Sequence, residues 1–469
     1  MKAGHMVKSL IHHLLGTVAL VAVSAMVDVA SAQTIDEALA AAYRSNPQLL
    51  AERARLRATD EGVPRALSNW RPVVTLQGQA GIGRDTVRTD TSAGTLSRDG
   101  TRNPYLAQLQ VSQPLYRGGR TEAEISRAEN LVQRGRAQLL AIEQQLLFDA
   151  ATAYLDVLRD QAVLDLTINN EQVLQRQLAA TRDRFQVGEV TRTDVSQAES
   201  RLARARADRI QADGNLTSTR ATYLKVIGGP PGQLVVPQPL ANLPTTDQAV
   251  LEGAGSNPNV IAARFNEKAA QDDVDLVYGE KLPTVSLTGN LARQHETSNI
   301  DVERDVAEAL VVVTVPLYQG GSVDARVRET KQTAGQRRIE VDDSLRQARE
   351  QATRSLETLT TARARVTAFR EEIRAAQIAL EGVEQEARVG SRTVLDVLDA
   401  EQELLNARVN LVRARRDELV AAYALAASIG RLTARDLGLS VDVYDPTTHY
   451  SQTRNRWYGT DTNGNDTAQ

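Results

Sequence analysis

Apolar side chains recur every seventh residue along two long, otherwise polar stretches of the chain. In the first they fall at Ile125, Val132, Leu139, Leu146 and Ala153, then after a four-residue stutter at Val157, Leu164, Leu178 and Phe185, with Glu171 on the same seam. The second repeats the pattern as Val327, Ala334, Val341, Ala348 and Ser355, then Leu359, Val366, Ile373, Leu380 and Ala387. A seven-residue repeat is the seam of a helix packed lengthwise on other helices, and small residues in it imply close approach. The first stretch runs from Thr121 to Val187 with few helix breakers; about 67 residues at 1.5 Å each give ~100 Å, longer than a compact domain. Gly188 and Gly390 end the two long helices, and returning helices are predicted from Thr193 to Ile227 and from Val394 to Ile429. Each pair is therefore a helical hairpin. Shorter helices are predicted over Ile35 to Asn69 and Asn259 to Glu280; stacked end to end on a returning helix, each would match the length of the long one.

Between the helices the period falls to two. Val74, Leu76, Gly78, Ala80 and Ile82 alternate with Thr75, Gln77, Gln79 and Gly81, and Tyr105, Ala107, Leu109 and Val111 alternate with Leu106, Gln108, Gln110 and Ser112. Further on, Val285, Leu287, Gly289 and Leu291 alternate with Ser286, Thr288 and Asn290, before the apolar run Leu310 to Val315. This predicts four strands in two hairpins, each strand roughly ten residues, the length of a tilted membrane-spanning β-strand. The polar segments Arg84 to Asn103 and Arg293 to Asp305 are expected to be outward-facing loops. Trp70, Tyr116, Tyr278 and Tyr318 lie at the helix-proximal strand ends, as an interfacial aromatic belt would or as ordinary junction packing would. Four strands cannot close a barrel, and open edges have no hydrogen-bond partners in lipid. Two, three or four copies, giving 8, 12 or 16 strands, would close one; the alternative is a soluble coiled-coil structural protein.

The two halves are copies. Gln113-Pro114-Leu115-Tyr116-Arg117-Gly118-Gly119 recurs as Val315-Pro316-Leu317-Tyr318-Gln319-Gly320-Gly321, an offset of 202 that also carries Val187-Gly188 onto Val389-Gly390, Thr191 onto Thr393, Asp194 onto Asp396 and Ile227-Gly228 onto Ile429-Gly430. Upstream, Ser45-Asn46-Pro47 matches Ser256-Asn257-Pro258 at an offset of 211, so the nine-residue difference falls between Pro72 and Pro114. The expected organisation is a first repeat at 33–228, a linker at 229–255, a second repeat at 256–430 and a polar tail at 431–469, either disordered or laid against the barrel.

Composition narrows the function. Four Phe and two Trp in 469 residues are too few for several thick cores. A net charge of -4 argues against nucleic acid as a partner. The chain has no Cys, and of its five His three precede residue 33, which leaves no thiolate nucleophile and no plausible metal set, so no cofactor is expected. Lys2 and Lys8 followed by the apolar run Leu14 to Val27 and by Ala30-Ser31-Ala32 read as a secretion signal over residues 1–32, cleaved after Ala32, in preference to an uncleaved anchor. Neither Gly228-Gly229 nor Gly81-Ile82-Gly83 has the context of a nucleotide site, and the paired Asp396 and Asp399 lie in coiled-coil sequence without a pocket signal, so an enzyme is not expected.

The Asn-Pro helix start, the Gln-Pro-Leu-Tyr-x-Gly-Gly turn, both Val-Gly-x-x-Thr tips and the stretch Val389 to Ala400 together resemble the TolC family of outer membrane efflux proteins, over Ile35 to Gly430. The resemblance implies a mainly α protein: a homotrimer whose periplasmic α-barrel continues into one 12-stranded membrane β-barrel. It implies a passive exit duct for drug efflux or type I protein secretion, seated in outer membrane lipid and docked to a periplasmic adaptor and an inner-membrane transporter. It further implies that Asp396 and Asp399 ring the periplasmic aperture and that Arg392 and Asp194 belong to links closing it. Val187, Gly188, Thr191, Val389, Gly390 and Thr393 would form the adaptor-contact tips. A Tyr that helps this lock in the family falls on Ala387 here. Asp396 and Asp399, three residues apart, would share one helix face, and three copies would set six carboxylates around one axis, tolerable only beside water. An Asp at a helix start also serves as an ordinary dipole partner.

Overall fold

The computed structural model describes residues 33–241, 243–297 and 302–462; the expected secretion signal lies outside them. The first long helix, α4 (Arg120–Gln186), and its repeat partner α8 (Ser322–Arg388) are each 67 residues. Both start one residue after a Gly-Gly turn in the left-handed region, Gly119 at φ 74° and Gly321 at φ 78°. The returning helices are α5 (Arg192–Ile227) and α9 (Val394–Ser428). The seam predicted from the seven-residue repeat is the buried face: Val132, Leu139, Leu146, Ala153, Val157, Leu164 and Leu178 are all buried. Where Glu171 interrupts it, the carboxylate accepts from Arg209 at 2.7 Å and Arg206 at 3.3 Å across the hairpin. Phe185, the last seam residue, is exposed.

The short helix expected over Ile35 to Asn69 is not continuous. It forms α1 (Ile35–Ser45), α2 (Pro47–Asp60) and α3 (Gly62–Leu67), and ends in a tight turn at Ser68–Trp70. Pro47 has no N–H to continue the ladder, so Asn46 becomes extended at ψ 123° and starts a new helix. The second repeat has α6 (Asp247–Ala254) and α7 (Pro258–Tyr278) in corresponding places, with Asn257 as the same cap.

End-to-end stacking is built by two motifs that lie far apart in the chain. Asn46 accepts from Gln48 N at 2.9 Å while its amide donates to Val226 O at 3.1 Å, and Ser45 Oγ donates to Ile227 O at 3.3 Å. In the second repeat Asn257 accepts from Asn259 N at 2.9 Å and donates to Ser428 O at 3.1 Å. One side chain thus caps the start of a short helix and an orphan carbonyl at the end of a returning helix. The glycines beyond those ends must be glycines: Gly228 and Gly430 sit at φ 90° and 78°, and a Cβ on Gly430 would lie 2.8 Å from Ser256 O.

Among the described residues the strands number six rather than four. A sheet of β1 (Val73–Ala80), β4 (Tyr105–Tyr116), β5 (Thr284–His295) and β6 (Glu303–Thr314) runs in the order β1-β4-β5-β6, all antiparallel. The segment expected as a loop over Arg84 to Asn103 is a two-stranded ribbon, β2 (Gly83–Thr91) with β3 (Gly94–Arg102). It has no apolar face to announce it; Arg84 pairs with Asp99 and Arg102 with Asp85 across the strands. The second expected loop is shortened because β5 runs on to His295 and β6 begins at Glu303.

The register sorts the side chains of the four-stranded sheet. Val74, Val111, Gly289 and Ala309 lie in one row, and Leu76, Leu109, Leu291 and Ala307 in another on the same face. The opposite face carries Thr75, Gln110, Asn290 and Glu308 in one row, and Gln77, Gln108, Ala292 and Val306 in the next. The first face is therefore mostly apolar across the sheet, and the second is polar over β1, β4 and β5 but largely apolar along β6, where Val306, Leu310 and Val312 lie; nothing among the described residues covers the first face, and Leu76 is 80% and Val311 64% exposed. Among the described residues no helix is long and apolar enough to cross a membrane.

The main core lies midway along the helices, where Leu39, Tyr43, Tyr154, Tyr223 and Tyr423 are buried together with Leu432 and Leu439 of the tail. That tail, through residue 462, lies along the helices and reaches the start of β1. Ala434 N donates to Glu143 at 2.8 Å, Tyr444 N to Tyr43 Oη at 3.1 Å, and the helix α10 (Pro446–Thr453) brings His449 to 3.0 Å from buried Asp60. Arg454 then pairs with Glu129 at 2.9 Å, and Arg71 donates to Arg456 O at 2.7 Å.

Candidate functional site at the hairpin tips and strand bases

Both hairpin tips are built alike. Gly188 and Gly390 turn the chain at φ 81° each, with Gly188 N donating to Phe185 O at 3.0 Å and Gly390 N to Ala387 O at 3.2 Å. This left-handed C-terminal turn satisfies carbonyls that the helix end leaves open. Three residues on, Thr191 and Thr393 cap the returning helices. Thr191 Oγ1 accepts from Asp194 N at 3.3 Å while Asp194 accepts from Thr191 N at 2.8 Å; the second tip repeats this with Thr393 and Asp396 at 3.2 and 2.9 Å. The tips are thus a glycine stop followed by a reciprocal cap, which holds the connecting turn to five residues. Val187 and Val389 are 73% and 81% exposed at the apex, two apolar side chains that nothing among the described residues covers.

The four charged candidates are not one cluster within the chain. Arg392 Nε donates to Glu386 at 2.8 Å, across its own tip. Asp194 is occupied by its cap, and the two do not meet. Asp396 is held below the usual carboxylate range by the Thr393 N–H, then by the Thr393 hydroxyl and the Arg392 charge; it stays ionised because the helix start needs it. Asp399, one turn further, pairs with Arg201 of α5. Near it, burial and then the like charge of Glu384 push the Glu401 carboxyl up. Ala387 packs beside Leu380 and Val397 and offers no polar group to a neighbour.

Sequence reading missed Arg201 and Glu386. Neither stands in a motif, and each is recognisable only from what its partner's helix brings near. The Thr-x-x-Asp spacing at 191–194 and 393–396, by contrast, is a legible cap signature.

The four aromatic candidates sit at the junctions of helices and strands. Tyr116, Tyr278 and Tyr318 are 40%, 50% and 86% exposed, while Trp70 is half-buried and its carbonyl accepts from Gln113 Nε2 at 2.8 Å. The tail adds a fifth: Arg71 stacks on the Trp457 ring at 4.7 Å, leaving Trp457 exposed beside the start of β1. Gly118 fixes this junction, since a Cβ there would lie 2.4 Å from Gly279 O.

Residues 38–229 and 252–431 match the family model described as outer membrane efflux protein. The chain is 36% identical over 435 residues to the outer membrane efflux protein BepC of Brucella suis, covering 92% of both chains. It is 27% identical over 416 residues to the outer membrane protein TolC of Vibrio cholerae, covering 87% of this chain and 92% of that one. The fold matches the crystal structure of the Campylobacter jejuni CmeC outer membrane channel with a TM-score of 0.75 at 14% identity, over 90% of this chain and 89% of the other.

Proposed function

Because the chain belongs to the outer membrane efflux protein family, we propose that it works as a trimeric exit duct whose periplasmic tips meet an adaptor and form its gate. The protein is an outer membrane channel that extends into the periplasm, for efflux or type I secretion, and is not an enzyme. Channels of this family form trimers and work with periplasmic adaptors and inner-membrane transporters.

The observation that carries the reading is the sheet. Among the described residues its apolar face has no cover, its opposite face is polar over β1, β4 and β5, and β1 and β6 are both open edges. Lipid satisfies the first face, a water-filled lumen the second, and only pairing with further copies satisfies the edges. Three copies give a closed 12-stranded barrel, with Trp70, Tyr116, Tyr278, Tyr318 and Trp457 at its periplasmic rim. Within this reading Val187, Gly188, Thr191, Val389, Gly390 and Thr393 form the adaptor contact. Asp396 and Asp399 supply the aperture charge. Arg392, free to exchange Glu386 for Asp194 of a neighbouring copy, is the link between protomers.

The test is purification from the outer membrane fraction followed by planar-bilayer recording. The wild type should run as a detergent-stable trimer with a low conductance. Arg392→Ser should raise that conductance, and Asp396→Asn with Asp399→Asn should relieve block by polyvalent cations. A detergent-independent soluble monomer would remove the duct reading; identical traces from all variants would place the gate elsewhere.

A further inference from the structure

At the strand bases the first half of the chain meets the second, and the internal repeat makes that joint a template for the joint between copies. The turn after β4 packs on the tight turn Gly279–Lys281 that precedes β5: a Cβ on Gly118 would lie 2.4 Å from Gly279 O and 2.9 Å from Leu282 Cβ. Further along the same pair of helices, Ser126 and Asn130 of α4 donate to Asp272 of α7 at 2.9 and 2.7 Å.

The repeat carries these residues to the two open edges of the chain. The offset of 202 takes Gly118, Ser126 and Asn130 to Gly320, Arg328 and Gln332, and the offset of 211 takes Asp272, Gly279 and Leu282 back to Glu61, Ser68 and Arg71. Among the described residues a Cβ on Gly320 would meet nothing within 4 Å, and Leu317 and Tyr318 of the same turn are 93% and 86% exposed. A ring closed by pairing β6 of one copy with β1 of the next repeats the inner joint. It sets Gly320 against Ser68 and Arg71 of the neighbour, and Arg328 against Glu61, a cation and a carboxylate where the inner joint has neutral donors.

The tail follows the second repeat and brings one more group to this place. Arg71 stacks on Trp457 at 4.7 Å and donates to Arg456 O at 2.7 Å. Arg456 in turn donates to Tyr458 O at 3.3 Å and to Asp461 O. Gly459, at φ 103°, leaves room for that guanidinium, since a Cβ there would lie 2.8 Å from Nη2. The turn is thus shaped around its own arginine, and it holds Trp457 66% and Tyr458 91% exposed.

We propose that this turn is an assembly clasp: Trp457 and Tyr458 of one copy cover Leu317 and Tyr318 of the next, so that each tail closes the joint with its neighbour at the strand bases. The clasp rests on the duct reading and names a surface within it. Four exposed apolar and aromatic side chains lie on the two sides of one seam, beside a complementary charge pair, and Trp, Tyr and Arg are the usual anchors of an interface.

The chain has no Cys, so paired cysteines can be placed cleanly. Leu317→Cys with Tyr458→Cys, treated with a short bismaleimide in outer membranes, should give covalent dimers and trimers on a denaturing gel. Glu61→Cys with Arg328→Cys should give the same ladder and reports the joint without the tail. Trp457→Ala and Leu317→Ala should each speed dissociation of the detergent-solubilised trimer at least about tenfold. The double variant should stay within about twofold of either, because both changes remove one contact. A Leu317/Tyr458 pair that runs only as monomer while the Glu61/Arg328 pair forms the ladder overturns the clasp and leaves the duct reading standing, as do fully additive effects on dissociation. Trp457 fluorescence quenched by brominated phospholipid in Trp70→Phe protein, with no Leu317/Tyr458 ladder, assigns the two aromatics to lipid and overturns the clasp in the same way. No ladder from either pair overturns the duct's ring closure together with the clasp.

Discussion

The tip glycines show how much one residue can decide. Gly390 holds φ 81° with open space around it, so the demand there is conformational and not steric. Proline fixes φ near -65° and removes the N–H that Gly390 donates to Ala387 O. Gly390→Pro should therefore disrupt the turn and misplace Val389 and Thr393 without touching the core or the sheet. The expected outcome is loss of export at normal levels of outer membrane trimer, measured as cargo accumulation beside the amount of detergent-stable trimer. Export that persists would mean the tip is not where the adaptor binds. Both glycines were readable as helix stops. Their charged neighbours were not: Arg392 chooses Glu386, and Asp399 chooses Arg201, because a long side chain's partner depends on which helix lies alongside.

At the scale of elements, the joints between stacked helices matter as much as the helices. Asn46 and Asn257 each satisfy a backbone N–H on one helix and a carbonyl on another. Replacing either with Ala removes a cap and leaves a half-buried carbonyl unpaired, a loss of about 1–2 kcal/mol. Asn46→Ala should lower the thermal unfolding temperature of the trimer, while Asn46→Asp, which keeps the cap and loses the donor, should fall between. Equal stability of all three proteins would show that the stacking is held by packing alone. The repeat of Ser-Asn-Pro and the repeat of Ile-Gly are both plain in the sequence. That they face each other across one joint is not, since 180 residues separate Asn46 from Val226. The β2–β3 ribbon escaped notice for another reason: its strands have cross-strand charge pairs but no buried face, so no period of two marks them.

For the whole molecule, the tail ties the middle of the helical layer to the strand bases. Its first anchor is Glu143, which accepts from Ala434 N at 2.8 Å; burial, more than any neighbouring charge, pushes its carboxyl up. A carboxyl raised on folding binds its proton more tightly in the native state than in the unfolded one. Its contribution to stability is full below the unfolded value of about 4.5 and declines as pH rises through the native value. Glu143→Gln keeps the acceptor and removes the ionisation. The variant should therefore lose that part of the decline in unfolding temperature as pH rises above the ordinary carboxylate range, read by thermal melts of the trimer on both sides of it. Identical slopes for the two proteins would show that Glu143 ionises in place without cost.

The sequence by itself determined the elements with long periodic signals: the two 67-residue helices with their buried seams, the returning helices, and three strands with one apolar and one polar side followed by a fourth read from its apolar run. These are local consequences of spacing, because a period of seven or two places residues on one face whatever lies beyond. It also determined the duplication, since matches at a fixed offset need no structure. Tertiary structure decided the rest. The register that aligns the apolar rows into one surface depends on which strands pair. The tail lies along helices because Glu143, Tyr43, Asp60 and Glu129 offer partners that its polar composition does not announce. Arg201 meets Asp399 only because two hairpins converge near their tips, and long-range contacts of that kind have no signature in the spacing of residues along a chain.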